Sequence, residues 1–101
     1  MIYFNVKTSD DAYRAIRMIG AYGETQREIK ANHEFDSDEF KKADYELQTA
    51  FYMSAKVHAK WSRILNDMGC YTEEEFADRA QSDKEWIASC RRDMLNAKKR
   101  L

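Results

Sequence analysis

Asn66–Phe76 reads NDMGCYTEEEF, and how this stretch is read decides the fold. Two regular, charged segments meet here at a glycine. Helix ends leave backbone N–H and C=O groups unpaired, and sequence shows how they are satisfied. Thr72 stands where a helix N-cap is needed, and Glu75 follows three residues later. That pair forms a capping box, in which the hydroxyl accepts one backbone N–H and the carboxylate another. Tyr71 before the cap and Phe76 after it form a hydrophobic staple. Gly69 sits where a preceding helix ends in a left-handed residue, which costs glycine no Cβ clash. The stretch therefore ends one helix and starts the next within about three residues. So short a connection makes the two helices antiparallel neighbours.

Working back from this turn, FDSDEF carries the same signals: Phe35 before Asp36, Glu39 three residues on, and Phe40 at the staple position. This predicts a long helix over 36–68. Its apolar stripe runs through Ala43, Ala50, Val57 and Ile64, beside Leu47, Trp61 and Met68, and is widened by Phe40, Phe51 and Leu65. Tyr45, Tyr52 and Met53 fall off that stripe. A helix with aromatics on a second face is either covered twice within the domain or meets a partner, and on the second reading these three are the candidate protein-interaction residues.

Working forward, Phe76, Ala80, Ile87, Cys90, Met94, Ala97 and Leu101 recur in steps of three and four, with Asp83 the one polar residue on the seam. This predicts a third helix over 72–100. Glu73, Glu74 and Glu75 open it and Lys98, Lys99 and Arg100 close it, as the helix dipole favours.

The first third reads differently. In IYFNVK, Ile2, Phe4 and Val6 alternate with Tyr3, Asn5 and Lys7, which is strand period over 1–8. TSDD then supplies capping residues for a first helix over 9–32, with Ala12, Ile16, Ile19 and Gly23 as its stripe and Gly20–Gly23 as the place where it breaks or packs closely. The fold class expected is mainly α: one domain, a three-helix antiparallel bundle with one short N-terminal β-strand. A lone strand needs partners for its backbone groups. It pairs with its own copy across a twofold axis, joins another protein's sheet, or lies as an extended arm. Tyr3 joins the candidate interaction residues on that ground.

Strand, acidic turn, helix and then GETQREI resembles the ribbon-helix-helix DNA-binding repressors over about a third of the chain. The resemblance implies a dimer that inserts a two-stranded ribbon into the major groove. Tyr3, Asn5 and Lys7 would face bases, and Thr25 would start a second helix near Glu28 and Ile29. Residues 1–40 oppose this, with five Lys and Arg against eight Asp and Glu, an acidic balance at what should be a phosphate-binding face.

Composition excludes several classes. The chain has 101 residues, no proline, three glycines and 35% charged residues, which favours helix over loops. Aromatics at 13% supply core formers that disordered chains lack. A net charge of −1 gives no overall pull toward nucleic acid or membrane. Nothing in the first residues reads as a signal peptide, no segment approaches the roughly 20 apolar residues of a membrane span, and Cys70 and Cys90 are expected as reduced thiols in a cytoplasmic protein. Phosphate-binding loops, nucleophile elbows and metal-binding cysteine pairs are absent from the sequence, so no cofactor, metal or catalysis is expected. The function expected is a small non-catalytic regulatory or inhibitory protein acting by protein–protein contact, alone or as a homodimer. In composition it is comparable to the accessory proteins of phages and mobile elements. The alternative is the dimeric ribbon-type DNA-binding repressor.

Overall fold

The structure is a computed structural model that describes residues 5–101. It is all-helical among those residues: α1 spans Ser9–Ala31, α2 spans Asp38–Asp67 and α3 spans Glu73–Lys99. Helix α2 lies in the middle. Both α1 and α3 pack along it, while α1 and α3 nowhere bring their Cα atoms within 8 Å of each other. The result is an open antiparallel arrangement measuring 48 × 23 × 19 Å.

The helix starts are locally encoded. The Thr72 Oγ1 accepts the Glu75 N–H at 3.1 Å, and Glu75 Oε1 accepts the Thr72 N–H at 3.0 Å. Tyr71 and Phe76 stand 6.3 Å apart between ring centroids, and Gly69 has φ +81°. At α1, Thr8 and Asp11 form the same reciprocal cap. At α2 the cap falls one residue later than the sequence predicts. Ser37 is the N-cap and accepts the Phe40 N–H, while Asp36 takes φ 67°, a left-handed conformation that aspartate tolerates better than most residues. Glu39 therefore has no capping-box role, although Phe35 and Phe40 still meet edge to face at 5.2 Å.

The expected strand is not found among the described residues. Asn5, Val6 and Lys7 have no regular secondary structure, and Tyr3 lies outside the described residues. The physical reason is visible at the junction with α1. The Lys7 and Thr8 backbone N–H groups both donate to Asp11 Oδ2, so the helix cap takes donors that a sheet would need. Val6, at 3% exposure, is an apolar anchor in the helical core rather than one side of a ribbon.

That core lies between α1 and α2. Val6, Ala12, Ala15, Ile19, Ala50 and Val57 form it, with Ile16, Met53, Trp61 and Ile64 packed against it. Helix α1 runs unbroken through both glycines. Gly23 is buried on α2, where an added Cβ would meet Leu47 Cδ1 at 3.6 Å and Ala50 Cβ at 3.9 Å. Gly20 faces open space. Thr25, which the ribbon resemblance needs as a helix start, is inside α1 with its hydroxyl donated to the Ala21 carbonyl.

Helix α3 is covered far less. Asp83 and Ala97 alone are buried, Phe76, Ile87, Cys90 and Met94 are half-buried, and Ala80 and Leu101 are exposed.

Urea unfolding tests these assignments. Thr72→Ala should lose about 1 kcal/mol through its cap. Gly69→Val should be destabilised by its left-handed backbone. Gly20→Ala should gain up to about 1 kcal/mol, because the helix improves and nothing obstructs the methyl group. Unchanged midpoints in all three would contradict the helix ends described here.

Candidate functional site

A cluster of polar and aromatic side chains lies where α2 meets α3. His58 and, one helical turn on, Trp61 and Ser62 build the α2 side. Ser62 is buried, and its hydroxyl donates to the His58 carbonyl at 3.1 Å. The same oxygen accepts Arg79 Nε from α3 at 3.1 Å. Arg79 Nε also lies 3.8 Å from Asp83 Oδ1, and Asp83 is only 7% exposed. A buried carboxylate needs such a cation, because desolvation otherwise favours its neutral form. The His58 ring stacks on Trp61 at 6.1 Å and meets Trp86 of α3 at 5.2 Å. Trp61 Nε1 in turn donates to Ser9 Oγ of α1 at 2.8 Å. The cluster thus ties all three helices together at one end of the molecule.

Serine, histidine and aspartate near one another invite comparison with a nucleophilic triad. The geometry differs from that arrangement. The Ser62 proton is given to a backbone carbonyl and its lone pair to Arg79, so the hydroxyl has no imidazole to pass a proton to. What these groups do is align α3 on α2.

At the other end Asp44 plays the corresponding part. Lys30 Nζ of α1 lies 2.8 Å from Asp44 Oδ1, and Arg100 Nη1 lies 3.5 Å from Oδ2.

Beside the Ser62 cluster, and sharing Asp83 with it, a groove of about 420 Å³ opens along the α2–α3 junction, lined by Ala59 and Arg63 of α2 and by Phe76, Ala80, Asp83, Lys84 and Ile87 of α3. Its walls are mostly apolar. Two cations frame it, and among the described residues neither Arg63 nor Lys84 is in an ion pair. Trp86 and Leu95 of α3 remain 42% and 38% exposed.

The residues singled out from the sequence fall in three places. Tyr45 and Tyr52 are half-buried on α2, and their seven-residue spacing continues to Ala59 of the groove wall, so all three share one helix line. The Lys56 ammonium sits over the Tyr52 ring at 5.1 Å. Met53 is elsewhere, packed against the α1–α2 core. Asn5 and Lys7 are exposed beside the start of α1, far along the chain from the groove residues. His33, His58, Cys70 and Cys90 are not gathered, and among the described residues no group of three or more His, Cys, Asp or Glu could hold a metal ion. Sequence reading missed Trp86 and Arg79 as site residues. The available signal was Asp83, a charge on an apolar seam that needed a cation one turn away.

Two titrations report on the packing. Burial and then the Arg79 charge push His58 below its ordinary value of 6.5, against an upward pull from Asp83. The fold prefers the neutral ring, so the associated stability is present above pH 6.5 and is lost as pH falls through the lowered folded value. Wild type should lose urea stability on acidification below pH 6.5 faster than His58→Phe, and parallel profiles would contradict the assignment. Tyr22 donates its hydroxyl to Glu46 Oε2 at 2.6 Å across α1 and α2, and this bond pushes its pKa up to about 12. Its stabilising effect is complete below pH 10 and lost as pH rises toward 12. Spectroscopic titration should show one tyrosine ionising late, and Tyr22→Phe should remove that late component.

No known protein family matches the chain, and neither a curated protein nor a solved structure matches it.

Proposed function

We propose that this is a small non-catalytic regulatory or inhibitory protein that acts by protein–protein contact, through the face where α2 and α3 meet. The observation that carries this reading is the poor cover of α3. A helix of 27 residues buries only Asp83 and Ala97, and leaves a framed apolar groove and a large part of Trp86 in solvent. Surfaces of this composition, aromatic and apolar within a charged rim, are characteristic of protein contacts. The Tyr45–Tyr52 line extends the same face along α2. The polar groups nearby support binding rather than chemistry, because the Ser62 hydroxyl gives its proton to a backbone carbonyl and accepts from Arg79, which also pairs with Asp83.

Affinity capture from the source cells tests the reading. Ala80 is exposed, so Ala80→Arg should leave helicity and melting unchanged while it blocks the groove. Wild type should retain a protein that Ala80→Arg and Tyr45→Ser/Tyr52→Ser lose, with or without nuclease. Capture that depends on intact nucleic acid, and that Asn5→Ala/Lys7→Ala abolishes, would instead favour the DNA-binding alternative.

A further inference from the structure

We propose that the α2–α3 face binds a second copy of the same chain, with the two α3 helices antiparallel across a twofold axis near Trp86 and Ile87. This rests on the reading of that face as a contact surface and names its occupant.

The argument is charge complementarity. Residues 73–85 carry six acids against two bases, and residues 86–101 carry five bases against one acid. Within α3 the two halves therefore have net charges of −4 and +3, Arg100 lying just beyond the helix and paired with Asp44. The helix dipole accounts for charge in the first and last turns only. Asp78, Arg91 and Arg92 lie beyond those turns, and among the described residues none of them is in an ion pair. A parallel pair of such helices sets like against like. An antiparallel pair sets each acidic half against a basic one, and a twofold axis makes both contacts at once.

The register follows from the same charges. With the axis at Trp86, Glu73 and Glu74 lie opposite Lys99 and Lys98 of the other copy, and Ala77 lies opposite Leu95. Leu95, at 38% exposure, then approaches the groove wall made by Phe76 and Ala80. At 1.5 Å per residue the 27 residues of α3 span about 40 Å. Contact along most of that length buries on the order of 1,000 Å², the lower bound for a specific interface.

Sedimentation of the full chain tests this with two complementary charge reversals. Lys98→Glu/Lys99→Glu makes both ends of α3 acidic, and Glu73→Lys/Glu74→Lys makes both basic. Wild type should run at twice the chain mass. Each variant alone should run at the chain mass, with its helicity retained by circular dichroism. Mixing the two variants should restore the doubled mass, because both end contacts are then between opposite charges. That rescue excludes simple misfolding as the cause of the loss. A wild type that stays at the chain mass at all concentrations overturns the proposal, as does a dimer that neither reversal weakens. The two readings separate through Ala80→Arg. A monomeric wild type whose foreign partner is lost in Ala80→Arg removes the second copy but keeps the contact face. If Ala80→Arg changes neither mass nor capture, the face itself is wrong.

Discussion

Helix α2 must serve two neighbours whose backbones stay apart from each other, and the rest of the structure follows from that constraint. A helix between two partners needs two buried stripes. One of them, through Ala43, Leu47, Ala50 and Val57, is apolar and faces α1 with the core. The other is mixed. It buries Ala55, but it also carries Ser62 and the half-buried His58 toward α3. The hydrophobic effect therefore holds α1 strongly, and α3 relies more on directed polar and aromatic contacts. Because no third interface closes the bundle, the outer face of α3 has nothing among the described residues to cover it.

Two polar anchors set where α1 and α3 lie on α2. At one end the chain of contacts runs from Ser9 through Trp61 to His58 and Trp86, with Ser62, Arg79 and Asp83 beside it. At the other end Asp44 draws Lys30 and Arg100 toward one carboxylate. Apolar packing alone tolerates sliding along a helix, whereas a directed hydrogen bond or ion pair between two helices, such as Arg79 to Ser62 or Lys30 to Asp44, does not. The groove lies on the α2–α3 junction, where the two helices meet side by side. Its apolar walls and its framing cations are consequences of that junction, and the contact role proposed for it depends on the anchors holding α3 in place.

Much of the fold is legible in short stretches of sequence. The turn at Gly69–Thr72 and the cap at Thr8–Asp11 depend on residues within four positions of each other, so their chemistry is contained in the local order of residues. The stripe on α2 is equally readable, since periodicity is a property of one helix alone. Three features were not legible for the same reason in reverse. Ile2, Phe4 and Val6 alternate like a strand, but alternation does not say whether Val6 faces a sheet or a helical core. In FDSDEF both Asp36 and Ser37 are capping residues, and the choice between them turned on Asp36 adopting a left-handed backbone. Met53 lies beside Tyr52 in sequence but at the α1 seam in space.

By itself, then, the sequence determined the three helices of the described residues, the starts of α1 and α3, and the antiparallel turn between α2 and α3, because caps, staples and glycine conformations are satisfied within a few residues. The tertiary structure alone decided how those helices share α2. Whether a seam residue such as Phe76, Ala80 or Ile87 is buried depends on how much neighbouring surface reaches it, and that surface comes from residues distant in the chain. Asp83 shows the difference most plainly. On the sequence it is one charge on an apolar seam, and in the fold it is a buried carboxylate beside Arg79, which also bonds Ser62 on another helix. The periodicity of α3 fixed which face turns toward α2, but only the packing of three helices without a fourth left that face half open.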